Sequence, residues 1–199
     1  MRTIENYQKP IDQLSFHRGH EISEQEEGNR ARSGCSGTLL YFAYGSNMNE
    51  NQMAFRCPDA EVVGTVRLEG YRLTFAGNGG GRGVATILPE KGSYVDGVLW
   101  RISARDEQYL DRYEGFPNLY GKETVMVRTS RGEKIPVMAY TMNAPYRNTP
   151  AFPSWEYLNG IVIGCQQHGI DPWPVLEAVH VLRETRRKIP VRKKQDRER

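Results

Sequence analysis

Leu39-Leu40-Tyr41-Phe42-Ala43-Tyr44-Gly45-Ser46-Asn47-Met48-Asn49 decides the reading of this chain. Its first six residues are a continuous apolar run. A run of that length bounded by a turn predicts a central strand buried on both faces. The next residues are small and polar, and Asn49 stands where it can cap a short helix through Arg56, which Pro58 ends. A buried strand thus runs straight into a turn and a helix start.

Working outward, Val62 to Phe75 reads as extended, with Gly64 and Gly70 as bulges or bends. Val84 to Leu88 and Tyr94 to Ile102 read as two further strands, split by the turn Pro89-Glu90-Lys91-Gly92. Ser103-Ala104-Arg105-Asp106 is a capping-box variant. The helix it opens carries Tyr109, Leu110 and Tyr113 on one face; Gly115 closes it and Pro117 prevents continuation. Tyr120 to Arg128 and Lys134 to Met142 flank a hairpin turn at Ser130-Arg131-Gly132-Glu133. Ser154 caps a helix through about His168, and Pro172 or Pro174 opens a last helix to about Arg186. The fold class expected is α+β: a small, mixed, strongly curled β-sheet or partial β-barrel with a few flanking helices. The domain is expected at 38–183, between a polar N-terminal extension at 1–37 and a basic tail at 184–199.

Bulk properties narrow the class. With 199 residues, 38% hydrophobic and 26% charged, the chain can bury one core and is expected to be soluble and globular. No apolar run is long enough to cross a bilayer, so no membrane partner is expected, and Met1 to Glu27 lacks the apolar centre of a secretory signal. Cys35, Cys57 and Cys165 are far apart and odd in number, which argues against a zinc site or disulfide framework and for a reducing, cytoplasmic location. The formal charge of +3 comes from the tail, where Arg183 to Arg199 holds nine Lys/Arg against three Asp/Glu. A solvated C-terminus is the plainer reading of that tail; contact with nucleic acid or an acidic partner is the alternative.

Candidate chemistry sits in two places. Gly45 lets backbone approach a ligand closely, and the amides of Tyr44-Gly45-Ser46-Asn47, with the following helix start, suit a carboxylate or a developing oxyanion. An ordinary strand-to-helix turn capped by asparagine is the competing reading. Ser46 has no histidine placed to make it a nucleophile. Glu114, at the end of its helix beside Tyr113, Phe116 and Leu119, is expected to have a raised pKa that suits proton transfer near neutrality. A solvated helix-end glutamate is the alternative.

Other features carry less. Gly77-Asn78-Gly79-Gly80-Gly81-Arg82-Gly83 lacks the Gly-Lys-Ser/Thr end of a phosphate loop and reads as a connection between strands. Gly34-Cys35-Ser36-Gly37 has the wrong spacing for a nucleophile elbow. Cys165 and His168 lie three apart on one helix and read as incidental. His17-x-x-His20 has no acidic or cysteine partners at metal spacing, so no metal site is expected.

Residues from about Thr38 to Val181 resemble the γ-glutamylcyclotransferase-like family. Tyr41-Phe42-Ala43-Tyr44-Gly45-Ser46-Asn47-Met48 carries the resemblance, with Leu110-Asp111-x-x-Glu114-Gly115, where the family has its catalytic glutamate. Gly83-Val84-Ala85-Thr86-Ile87, Gly97-Val98-Leu99-Trp100, Ala139-Tyr140-Thr141-Met142 and Pro153-Ser154-x-x-Tyr157 follow in order. The resemblance implies a nearly closed sheet around one pocket and cyclisation of a γ-glutamyl group to 5-oxoproline with release of an amine. It implies no metal or organic cofactor. By the same resemblance Glu114 is the general acid/base, Tyr41, Phe42, Ala43, Tyr44, Gly45, Ser46 and Asn47 hold the glutamyl group, and Tyr157 contacts it. The extension and the tail fall outside the family pattern. They leave a second reading: a small-molecule or nucleic-acid-associated binding protein that keeps the fold without turnover.

Overall fold

The computed structural model describes residues 37–77 and 82–188. Most of the expected extension at 1–37, the centre of the glycine loop and the last part of the tail, 189–199, lie outside the described residues.

The apolar run forms strand β1, Thr38–Ala43. Tyr41, Phe42 and Ala43 are buried, as a strand covered on both faces requires. β1 pairs antiparallel with β3, Gly83–Ser103, from Thr38↔Ser103 to Ala43↔Val98. β3 in turn pairs with β2, Glu61–Gly77, in a long antiparallel ladder. β2 meets β4, Tyr120–Thr129, over Val66 to Leu68, and β4 forms a hairpin with β5, Lys134–Met142. A parallel contact of β1 with β5, Tyr41↔Met138, closes the sheet into a barrel in the order β1-β3-β2-β4-β5. Closure abolishes the sheet's free edges.

Two register shifts curl the long ladder, one between Val62 and Gly64 and one between Glu69 and Tyr71. A bulge locally raises the right-handed twist and bends its strand, which a narrow barrel needs. The second shift corrects a sequence expectation. Pro89 to Gly92 does not separate two strands; β3 runs through it, with Pro89 opposite Tyr71 and Tyr94 opposite Glu69. The turn residues bulge out of one continuous strand.

Phe42, Phe75, Leu68, Ile102, Val98, Val127 and Met142 fill the core at under 2% exposure. Each such side chain contributes about 1.5–3 kcal/mol by leaving water. The helices close the ends. α1, Glu50–Arg56, starts on Asn49, whose side chain accepts from the Gln52 amide. α2, Ala104–Glu114, follows β3 directly through a full capping box between Ser103 and Asp106. Leu110 is its fully buried apolar residue, whereas Tyr109 and Tyr113, expected beside it on the packed face, are partly exposed. α2 ends at Gly115 in the left-handed region, φ 66°, a conformation glycine adopts without a Cβ penalty.

α3, Trp155–Gln167, is capped by Ser154 and buries Ile161 and Cys165. Its Gly164 lies so close to the turn after β1 that a Cβ there would come within 2.7 Å of the Asn49 nitrogen. Asn49 Nδ2 also donates to Gly160 O across 3.3 Å. α3 therefore clamps that turn in place. α4, Trp173–Lys188, packs on β2 and extends beyond the expected domain end at 183. Among the described residues, no helix is long and apolar enough to cross a membrane.

Candidate active site

The turn after β1 is a short 3-10 segment, Ser46–Met48, packed under α3. Its amides at Met48 and Asn49 are used internally, donating to Gly45 O and Ser46 O at 3.0 and 3.2 Å. The amides of Gly45, Ser46 and Asn47 find no backbone acceptor among the described residues. Gly45 leaves little room beside it: a Cβ would sit 3.2 Å from Ala85 Cβ and 3.5 Å from the Tyr157 hydroxyl.

This turn forms one wall of a cavity of about 200 Å³ at the end of the barrel. β1 and the turn contribute Tyr41, Tyr44, Gly45, Ser46 and Asn47; β3 contributes Val84 and Ala85. Tyr113 and Glu114 come from the end of α2, and Leu119 and Tyr120 from the start of β4. Tyr140 of β5 and Tyr157 of α3 complete the lining, which among the described residues holds no cationic side chain. Two residues expected at the site are elsewhere. Phe42 and Ala43 point into the core at 0% and 1% exposure and do not line the cavity.

Asn47 organises the wall. Its Nδ2 donates to Glu114 Oε1 and to the Tyr41 hydroxyl, both at 2.8 Å. Its Oδ1 accepts from Arg56 Nη1, and its backbone carbonyl accepts from Trp100 Nε1 at 3.0 Å. Ser46 Oγ lies 3.3 Å from the Tyr113 hydroxyl and accepts from Arg56 Nη1 at 3.2 Å. Opposite, the Ala85 amide donates to the Tyr157 hydroxyl at 3.1 Å, and Tyr44 donates to Tyr140 O at 2.6 Å.

Burial pushes the Glu114 carboxyl up to about 7, against the hydrogen bond from Asn47 and the positive charge of Arg56, which pull it down. One edge of the carboxyl opens on the cavity, but the protein around it is dense enough for desolvation to dominate. Burial also raises Tyr41, Tyr44, Tyr120, Tyr140 and Tyr157, and Glu114 adds to each shift. These tyrosines stay neutral hydroxyls at neutral pH. Glu114 is the carboxyl they surround.

The remaining candidates have structural partners. His168 Nε2 lies 3.0 Å from Met48 O, with its ring edge-on to Trp100. Burial pushes the thiols of Cys57 and Cys165 up to about 12 and about 11, so neither is a thiolate near neutrality. No group of three His, Cys, Asp or Glu placed to hold a metal occurs among the described residues; His17 and His20 lie outside them.

The sequence reading missed Arg56, Tyr120 and Tyr140, and gave Tyr113 only a background role. Barrel closure and the return of α1 bring them in from distant positions. Arg56 carried one usable signal, its place in the last turn of a helix that begins beside Asn47.

The gamma-glutamyl cyclotransferase, AIG2-like family model matches residues 41–159. A gamma-glutamylcyclotransferase of Bos taurus is 33% identical over 147 residues, covering 70% of this chain and 76% of that protein. One of Homo sapiens is 33% identical over 155 residues, covering 70% and 80%. A solved structure of a gamma-glutamyl cyclotransferase superposes with a TM-score of 0.63 at 27% identity, covering 80% of this chain and 93% of that one.

Proposed function

The chain belongs to the gamma-glutamyl cyclotransferase, AIG2-like family, and from that premise we propose that it cyclises a small γ-glutamyl substrate. The products are 5-oxoproline and a free amine or amino acid. The activity is assigned to residues 38–183. One observation carries the reading: the Glu114 carboxyl, held by Asn47, opens on a small cavity otherwise lined by tyrosines and by small polar and apolar residues.

The substrate α-amine attacks its own γ-carbonyl carbon. A C–N bond forms, a five-membered ring closes, and the bond from the carbonyl carbon to the leaving nitrogen breaks. The nucleophile is already tethered, so holding the chain bent into a near-attack geometry removes much of the barrier. A cavity of about 200 Å³ suits a folded glutamyl group. Glu114, as carboxylate, takes the proton from the amine; as acid, it returns that proton to the leaving nitrogen. A pKa near 7 makes both forms available at neutral pH.

Neutral donors serve the substrate's oxygens. The hydroxyls of Tyr41 and Tyr157 each accept a bond from the protein and keep their own proton to donate. The amides of Gly45, Ser46 and Asn47 offer further donors to the α-carboxylate or to the oxyanion of the tetrahedral intermediate. No step requires a metal or an organic cofactor. The reading is tested by assaying 5-oxoproline release from a panel of γ-glutamyl amino acids and γ-glutamyl amines. Release dependent on Glu114 supports it; none from a folded protein across the panel favours the binding-protein alternative.

A further inference from the structure

We propose that Arg56, which does not line the cavity, is a positioning residue: it locks the Asn47 carboxamide with its NH2 turned onto Glu114 and Tyr41. The inference deepens the proposed function and rests on the reading of Glu114 as the proton carrier.

Arg56 is the last residue of α1, yet it acts at the helix's other end. Helical side chains tilt toward the N-terminus, so its long stem runs back along the helix. Nη2 donates to Gln52 Oε1, one turn earlier, at 2.7 Å. Nη1 reaches past it to Ser46 Oγ and Asn47 Oδ1. The guanidinium lies over the Tyr113 ring at 3.7 Å. Hydrogen bonds and a close cation–ring contact fix the group from three elements, far more than a solvated surface arginine receives.

The consequence follows from donor and acceptor chemistry. A guanidinium can only donate, and a carboxylate can only accept. Between them a carboxamide has one good orientation: oxygen toward Arg56, NH2 toward Glu114. Without Arg56 the amide is free to turn over. Flipped, its oxygen would face Glu114, an arrangement that repels the carboxylate and welcomes the protonated acid. Arg56 therefore ties the turn's geometry to the charge state of Glu114.

The groups facing Glu114 leave Arg56 as the charged influence. Tyr41 from β1, Tyr44 just after it, Tyr120 from β4, Tyr140 from β5 and Tyr157 from α3 all hold their protons through neutrality. Arg56 is the charge acting on Glu114.

The experiment needs no substrate, so it stands even if the assay for turnover fails. The Glu114 side-chain carboxyl carbon is titrated by NMR in the full chain, its signal assigned by its loss in Glu114→Gln. Arg56→Gln should raise the midpoint by about one unit. In an Asn47→Ala background the same substitution should move it much less, because the amide that transmits the effect is gone. An unmoved midpoint in folded Arg56→Gln, or an equal shift in both backgrounds, would overturn the proposal. Should Arg56→Gln not fold, Arg56→Lys decides: it keeps a cation and loses the fork. A raised midpoint supports positioning, and an unchanged one reduces Arg56 to a distant charge.

Discussion

Asn47 and Glu114 are joined by a hydrogen bond of 2.8 Å from Nδ2 to Oε1, across 67 residues of sequence. The bond ties the turn after β1 to the end of α2. It also sets two influences against each other, because the amide favours the carboxylate while burial favours the acid.

Glu114→Gln preserves size and can still accept from Asn47. The fold and the affinity for a non-reactive γ-glutamyl analogue should be kept, and turnover should fall by at least about 10²-fold. In the wild type, the acid limb of kcat/KM should have an apparent pKa near 7. Steady-state assays of both proteins from pH 5 to 9 check this, and near-normal turnover in the variant removes Glu114 from the mechanism.

Stability should carry the same signature. The folded pKa of Glu114, about 7, lies above the ordinary value of 4.5. Below about 4.5 both folded and unfolded chains hold the proton, and the group has no effect on stability. Between 4.5 and 7 the unfolded chain loses a proton that the folded chain keeps, so stability falls as pH rises. Above 7 the loss is complete. Thermal midpoints at pH 5 and pH 8 should therefore differ more for the wild type than for Glu114→Gln. Equal differences would mean the carboxyl is not raised.

Gly164→Ala should unsettle the site from behind. Its Cβ would meet the Asn49 nitrogen at 2.7 Å and the Met48 carbonyl carbon at 2.8 Å, backbone atoms that cannot swing aside. A cost of about 1–3 kcal/mol is expected in urea unfolding, with turnover falling as the turn shifts. Gly37→Ala, with nothing within 4 Å, is the control and should change neither.

Ser46→Ala separates a supporting hydroxyl from a nucleophile. Ser46 Oγ is engaged by Arg56 and Tyr113. Losing those bonds should cost about tenfold or less in kcat/KM, the scale of one net hydrogen bond. A drop as deep as that of Glu114→Gln would make Ser46 a reacting group.

Local signals in the chain were informative where local chemistry decides. The apolar run, the caps at Asn49, Ser103 and Ser154, and the stop at Gly115 all depend on near neighbours; the caps and the stop stand as read, and the run forms a strand that begins at Thr38 and ends at Ala43, one residue short of Tyr44. Pro89 to Gly92 misled because a turn signature looks the same whether it ends a strand or bulges from one. Only the partner, with Gly70 and its φ of 80° at the opposing shift, distinguishes the two. The turn and Glu114 were visible as separate candidates. The tyrosine lining was not, since Tyr120 and Tyr140 reach the cavity only after the barrel closes. Phe42 shares the motif of the turn but sits on the opposite face of β1 from Tyr41, because alternate residues of a strand point to opposite sides; Ala43, on the face of Tyr41, is buried at 1% and does not line the cavity.

The parallel seam between β1 and β5 has a consequence for how the protein comes into being. Tyr44 and Tyr140, bonded across that closure, are 96 residues apart. Contacts this distant in sequence form late, after the entropy of closing the intervening chain has been met. A chain emerging from the ribosome has made Asn47 and Glu114 long before β5 exists to seal the cavity, and α3, which braces the turn, comes later still. The pocket is thus among the last parts of the molecule to be completed. A partly folded chain has the Glu114 carboxyl in open water, without the burial that raises its pKa in the finished fold.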